Sequence, residues 1–224
     1  MIFKRARHSV MGISCALALA ACSVLPKPEP VDVYLLPTTA IAPVTDSGTP
    51  RTWSLRLVRP DASGQLVGQR ILVVPEPNRV SVYKGANWYE SAPLLVRNRL
   101  FDAFRADARV SALSTDEMRT FADFELGSDL GAFHSEYPPG VRIPQAVIRL
   151  DTRLIDTASR RIVASRVFEA RETAADSSIP AVVAAFGIAA DRLAAELVAW
   201  TIAKADAARQ AETETLPVQP EMPQ

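Results

Sequence analysis

Thiols and imidazoles are the scarcest chemistry in this chain. Its 224 residues include two cysteines, Cys15 and Cys22, and two histidines, His8 and His134. Cys15 and His8 lie in a stretch where Lys4, Arg5 and Arg7 precede a weakly polar to apolar run from Val10 to Ala21, the layout of a cleaved export signal. The chain beyond such a signal has no pair of thiols for a disulfide and no Cys/His set for tetrahedral zinc. A serine nucleophile would have to be built around His134, whose neighbour Ser135 is too close in sequence to be placed by the fold, so His134 is read as a surface or strand-end residue. Glycine is sparse too, and Gly64 and Gly68 in "ASGQLVGQR" lack the further glycines and the Lys-Ser ending of a phosphate loop; the segment reads as a hairpin turn. Asp123, Glu125 and Asp129 alternate along an expected strand and read as its solvated face rather than as paired catalytic carboxylates. No cofactor, metal or enzymatic centre is expected. An excess of positive charge is also missing. Without Lys4, Arg5 and Arg7 the basic residues number 22 against 25 acidic ones, a net charge of 22 − 25 = −3. That balance argues against a nucleic-acid partner, which is held by clustered Lys and Arg.

The Val10–Ala21 run is also too short to span a bilayer, which takes about 20 apolar residues. It ends in Leu19, Ala20, Ala21 and Cys22, and Pro26, Lys27, Pro28 and Glu29 close off the apolar stretch. Those four residues look like a bacterial lipobox: cleavage before Cys22, diacylation of its sulfur and acylation of the new amine. One acyl chain holds a protein only reversibly, whereas several hold it firmly. The competing reading is an ordinary secretory signal with an incidental cysteine. Ser23 stands where an aspartate usually retains such proteins in the inner membrane, so it resembles an outer-membrane address.

Residues 22–30 are expected to be an acylated cysteine and a proline-rich tether, after a signal peptide of residues 1–21. One domain is expected over residues 31–204, with a disordered tail over 205–224. "VDVYLLP" reads as a short strand with Val33 and Leu35 on one side. "RTWSLRLVRP" reads as another, with Trp53, Leu55 and Leu57 facing inward. Ile71–Val74 and Val80–Tyr83 give two more. A helix should start near Ser91, as its cap, with Pro93 in the first turn and Leu94, Val96, Leu100, Phe101 and Phe104 on its apolar side. Phe124, Leu126 and Leu130 share one face of a later strand. A hairpin comes next, with Ile148, Leu150 and Leu154 inward, the turn at "DTAS", and Val163, Val167 and Phe168 on the return. The last helix is capped by Ser178 and carries the stripe Val182, Phe186, Ala189, Leu193, Leu197 and Trp200. Gly187 inside it costs about 1 kcal/mol of helix propensity and so marks close packing.

Two aromatic-rich places are candidate contacts. "VYKGANWYES" sets Tyr83, Trp88 and Tyr89 around an expected glycine turn, where they either meet a partner or lipid or pack beneath the helix cap. "FHSEYPPG" carries Phe133, His134 and Tyr137, as a binding loop or a structural connection.

With the lipobox, the tether, "YLLP" at residues 34–37 and the run "RILVVPEPNRVSVYKGANWYESAPLLVRNRLFDAF" in view, the chain resembles the ABC-type transport auxiliary lipoprotein family. The similarity covers residues 31–204. It includes the Asn87–Trp88 pair leading into the helix, and the later pattern carried by Leu154, Asp156, Ser159, Ile162, Val163, Ala164, Ser165, Arg166 and Phe168. The resemblance implies an α/β domain of α+β type, two principal helices on a mainly antiparallel sheet, similar to the N-terminal domain of TolB. It also implies a non-enzymatic part in moving lipid between the two membranes, docking an MCE-domain protein at the outer membrane, with self-association left open. The alternatives from the residues are an independent periplasmic lipid-binding lipoprotein and an envelope hydrolase.

Overall fold

In the computed structural model, residues 30–38 and 49–215 are described. The signal, Cys22 and nearly all of the tether lie outside them, as do most of the loop before Thr49 and residues 216–224. Asp32–Gln224 forms one compact unit, and Met1–Val31 is assigned to a separate one. Eight strands appear in chain order: β1 (Asp32–Tyr34), β2 (Leu55–Leu57), β3 (Arg70–Glu76), β4 (Arg79–Trp88), β5 (Leu113–Thr115), β6 (Phe124–Glu136), β7 (Gln145–Asp156) and β8 (Arg161–Thr173). Among the described residues two α-helices accompany them, α1 (Ala92–Asp107) and α2 (Ile179–Thr215).

All eight strands join one sheet centred on β6. On one side β6, β7 and β8 form a long antiparallel meander. On the other, β6 is shared: its first residues pair in parallel with β2, which carries β5, and its last pair in parallel with β3, which carries β4 and β1. The long pairings are antiparallel and the short three-residue ones parallel, giving a mixed sheet in an α+β fold. Alternation explains the inner face: Leu55, Leu57, Phe124, Leu126, Leu130, Ile148, Leu150, Leu154 and Phe168 are all buried. A shift in the β6–β7 register between Leu130 and Ala132 moves the inward parity by one, which is how Phe133 joins the same core.

Both helices cover this face. On α2, the stripe Val182, Phe186, Ala189, Leu193, Leu197 and Trp200 is buried. Phe186 stacks on Phe133 at 4.8 Å, and Trp200 meets Phe168 edge-on at 5.4 Å. Burying such rings supplies a large share of the apolar stabilisation. On α1, Leu95, Val96, Leu100, Ala103 and Phe104 are buried, while Leu94 and Phe101 are only half-buried. Ser91 precedes α1, but its hydroxyl makes no cap bond; its carbonyl accepts the first helical bond from Leu95 N–H at 3.0 Å. Ser178 Oγ accepts from Ala181 N–H at 3.4 Å, a long cap.

The chain between β1 and the loop after it runs as a strap over the helices. The Arg99 guanidinium, buried on α1, pairs with Asp191 on α2 and donates to the carbonyls of Leu36 at 3.1 Å and Pro37 at 2.5 Å. Gly187 faces the same strap, and a Cβ there would sit 2.7 Å from the Pro37 carbonyl oxygen.

Further readings of the sequence change. Val33 and Leu35 are exposed, and Tyr34 and Leu36 pack on the core instead. The expected glycine turn after Tyr83 is a strand: β4 continues to Trp88, and Gly85, at φ 71°, falls within a register irregularity opposite Arg70–Leu72. The Gly64–Gly68 segment is a short 3-10 turn, Gly64–Val67. α2 does not stop near Ala208 but reaches Thr215, so residues 205–215 are helical where the composition predicts a disordered tail.

Candidate partner-contact surface

The three aromatic candidates fall in three different environments because β4 passes from edge to core along its length. Tyr83 is half-buried, and its hydroxyl shares a 2.9 Å hydrogen bond with Ser135 on β6. Burial, with Tyr137 nearby, pushes the Tyr83 phenol up to about 12, so it stays neutral at physiological pH. Trp88 is 1% exposed, edge-on to Phe186 at 5.3 Å and to Phe133 at 5.6 Å. Its ring is used by the core and leaves no face for a partner in this fold. Its Nε1–H has no hydrogen-bond acceptor among the described residues. Tyr89 is 61% exposed, while its backbone is fixed: its N–H donates to Tyr34 at 2.8 Å and its carbonyl accepts from Gln69 at 3.0 Å. The geometry therefore separates the three, with Tyr89 alone presenting substantial surface.

Phe133 and His134 belong to β6 rather than to a loop; Tyr137 lies just past the strand's end. His134 Nε2 lies 3.6 Å from Glu136, and Glu136 also pairs with Arg171. Burial holds the imidazole below its ordinary value, against the pull of Glu136. Ser135 Oγ is engaged with Tyr83. No group of His, Cys, Asp and Glu suited to a metal occurs among the described residues.

The end of the sheet where β6 begins is the most heavily cross-linked part of the fold. Asp123 accepts from Ser54 N–H at 2.7 Å and Ser54 Oγ at 2.6 Å, and pairs with Arg209 of α2. Burial raises the Asp123 carboxyl, but the Ser54 donors and Arg209 outweigh it and hold it below the usual range. Asp206 accepts from Trp53 Nε1 at 2.9 Å and Arg51 Nε at 2.9 Å. The β7–β8 turn docks here too: Thr157 donates to the carbonyls of Ala122 at 2.5 Å and Asp123 at 3.0 Å. Asp156 accepts from Ser159 N–H and Oγ at 2.7 and 2.6 Å, a side-chain turn that fixes the hairpin. Around this rigid base stand exposed apolar residues that local pattern does not single out: Met118 at 56%, Phe121 at 78% and Ile162 at 57%. The signal for Phe121 is an aromatic isolated in the polar run "DEMRTF".

The family model for the ABC-type transport auxiliary lipoprotein component matches residues 34–198, from the end of β1 to deep within α2. The chain belongs to this family. Family membership makes it a transport auxiliary rather than a representative of a known enzyme class. It is 33% identical over 150 residues to the uncharacterised protein bll6063 of Bradyrhizobium diazoefficiens, a match covering 66% of this chain and 39% of that protein. The crystal structure of protein XCC0632 from Xanthomonas campestris is similar with TM-score 0.70 and 28% identity, covering 80% of this chain and 99% of that one. Another uncharacterised protein shares the fold at TM-score 0.56 and 13% identity, over 76% of this chain and 97% of its own. Several residues of the pattern noted in the sequence tie the fold together. Asp156 and Ser159 close the turn, and Arg166 lies over the Phe168 ring at 4.8 Å and pairs with Glu196 of α2. No described helix is long and apolar enough to cross a membrane.

Proposed function

We propose that this auxiliary lipoprotein is anchored in the outer membrane through acylated Cys22 and docks there the periplasmic MCE-domain assembly of an ABC-type lipid transporter, whose ATPase and permease are separate chains. The observation that carries this reading is the family match across residues 34–198. It is supported by the "LAAC" sequence before Ser23 and by the way the fold spends its side chains. The hydrogen-bonded polar groups described above close turns and tie elements together. Of the aromatic trio, Tyr89 remains the candidate for contact with a partner or with lipid, while Tyr83 and Trp88 are committed to packing.

An independent lipid carrier would need an apolar cavity between helices and sheet. The void lined by Val96, Arg99, Leu100, Ile148, Ala190 and Leu193 is about 10 Å³, barely the room of one water and far below an acyl chain. The test is copurification of the MCE-domain protein with the acylated chain and with Cys22→Ser, paired with an outer-membrane barrier assay in cells. Docking requires that the MCE protein copurify and that Cys22→Ser lose barrier function while still folding. Full barrier function with the unacylated chain would overturn it.

A further inference from the structure

We infer that the end of the sheet formed by the β5–β6 connection and the β7–β8 turn is the surface that receives the periplasmic protein partner, through an acidic segment bearing apolar residues. The inference rests on the docking function proposed above and names the face that performs it.

Three observations meet at this end. The first is apolar exposure on a fixed base: Met118, Phe121 and Ile162 are more than half exposed, the chain on either side of Phe121 is held by Arg56 Nη1 donating to the Thr120 carbonyl at 3.2 Å and by Thr157 bonding to Ala122 and Asp123, and Ile162 sits in the β8 ladder opposite Ile155. A large side chain held out on an ordered backbone loses little entropy when covered, which is what a contact anchor requires.

The second is charge. Arg119, Arg160 and Arg161 are exposed here and have no ion-pair partner among the described residues. The nearby carboxylates are committed elsewhere: Asp116 and Glu117 to Arg97 at 3.3 and 2.8 Å, Glu125 to Arg56, Asp123 to Arg209 and Asp156 to Ser159. The surface thus presents three guanidinium groups without a carboxylate partner among the described residues, on the same segments as three apolar side chains. Arg119 and Arg160 also hold left-handed backbone, at φ 52° and 56°, positions that ordinarily favour glycine or asparagine.

The third is position. β1 pairs beside the last part of β4, whose partner β3 runs along the second half of β6, so the chain joins the sheet near the level of Phe133. Phe124 and the surface beside it lie about 30 Å away along β6 at roughly 3.3 Å per residue. The chain therefore enters the sheet near one end of β6 and carries this surface at the other.

The test measures binding of the detergent-purified MCE-domain protein to the full lipoprotein, to Phe121→Ser and to the pair Arg119→Glu with Arg160→Glu. Circular dichroism and melting serve as fold controls, since all three side chains are exposed. Each variant is expected to fold like the parent and to bind about tenfold or more weaker, the arginine pair with a reduced salt dependence. If the parent binds and the variants bind as well as it does, the surface is wrong and the docking function stands. If the parent does not bind, the docking function itself fails and this inference with it. A second arm sediments the unacylated Cys22→Ser full chain with phosphatidylglycerol vesicles and with phosphatidylcholine vesicles. Sedimentation with the anionic vesicles that the same substitutions abolish would overturn the inference in favour of a membrane contact.

Discussion

At Gly187 the usual preference of a helix for alanine reverses. In an open helix Gly→Ala gains about 1 kcal/mol, but here the new Cβ would lie 2.7 Å from the Pro37 carbonyl oxygen, which is itself held by Arg99. Overpacking against a fixed backbone costs about 1–3 kcal/mol, so Gly187→Ala is expected to lower stability by about 1–2 kcal/mol in urea denaturation of the full chain. An unchanged or raised midpoint would show that the strap yields. The sequence announces that Gly187 packs closely, because a glycine in the middle of an apolar helix needs a reason. It does not announce Pro37, which lies 150 positions earlier and carries no pattern pointing to the helix. Trp88 shows the opposite limit. Beside Tyr83, Tyr89 and Gly85 it reads either as a contact or as packing beneath the helix cap, and the continuation of β4 through Gly85 decides for packing by sending its ring inward.

Elements are legible where periodicity is strong. The α2 stripe and the inward parity of β2 and β7 emerge from spacing, because one face of each is buried along most of its length, whereas β8 buries only Phe168 and Ala170 and is legible mainly through the turn that precedes it. Leu197 is fully buried in that stripe, so Leu197→Ala is expected to cost about 2–4 kcal/mol by chemical denaturation. A loss below about 0.5 kcal/mol would place the stripe against solvent or a partner. Element ends are harder to read. "RQAETET" has no apolar period and reads as tail, yet Arg, Gln, Ala and Glu are good helix formers, and Arg209 adds ion pairs to Asp123 and to Glu212 at 3.0 Å. Short parallel strands such as β5 and the sharing of one β6 edge between β2 and β3 rest on long-range pairing, which local pattern does not encode.

For the whole molecule, the proposed role predicts that the mature chain begins at an acylated Cys22 and fractionates with the outer membrane. Mass spectrometry of the N-terminal peptide and density-gradient fractionation check it; an unmodified cysteine, or co-migration with the inner membrane, would remove the anchor from the account. Neither helix nor sheet makes the docking surface legible in the sequence, because its arginines and apolar side chains come from segments about 40 residues apart in the chain and meet only once the β7–β8 turn docks on Ala122. The strap has a mechanical consequence. A pull on the chain ahead of Asp32 along the strand axis first loads the three-residue ladder between β1 and β4, whose bonds then resist in shear and share the force. Force that passes the ladder arrives at Leu36 and Pro37, gripped by a buried guanidinium bridging α1 and α2 and seated against Gly187. The arrangement works as a cable clamp: under the proposed anchoring, tension arriving through the strap would be shared between the two helices rather than borne by β1 alone.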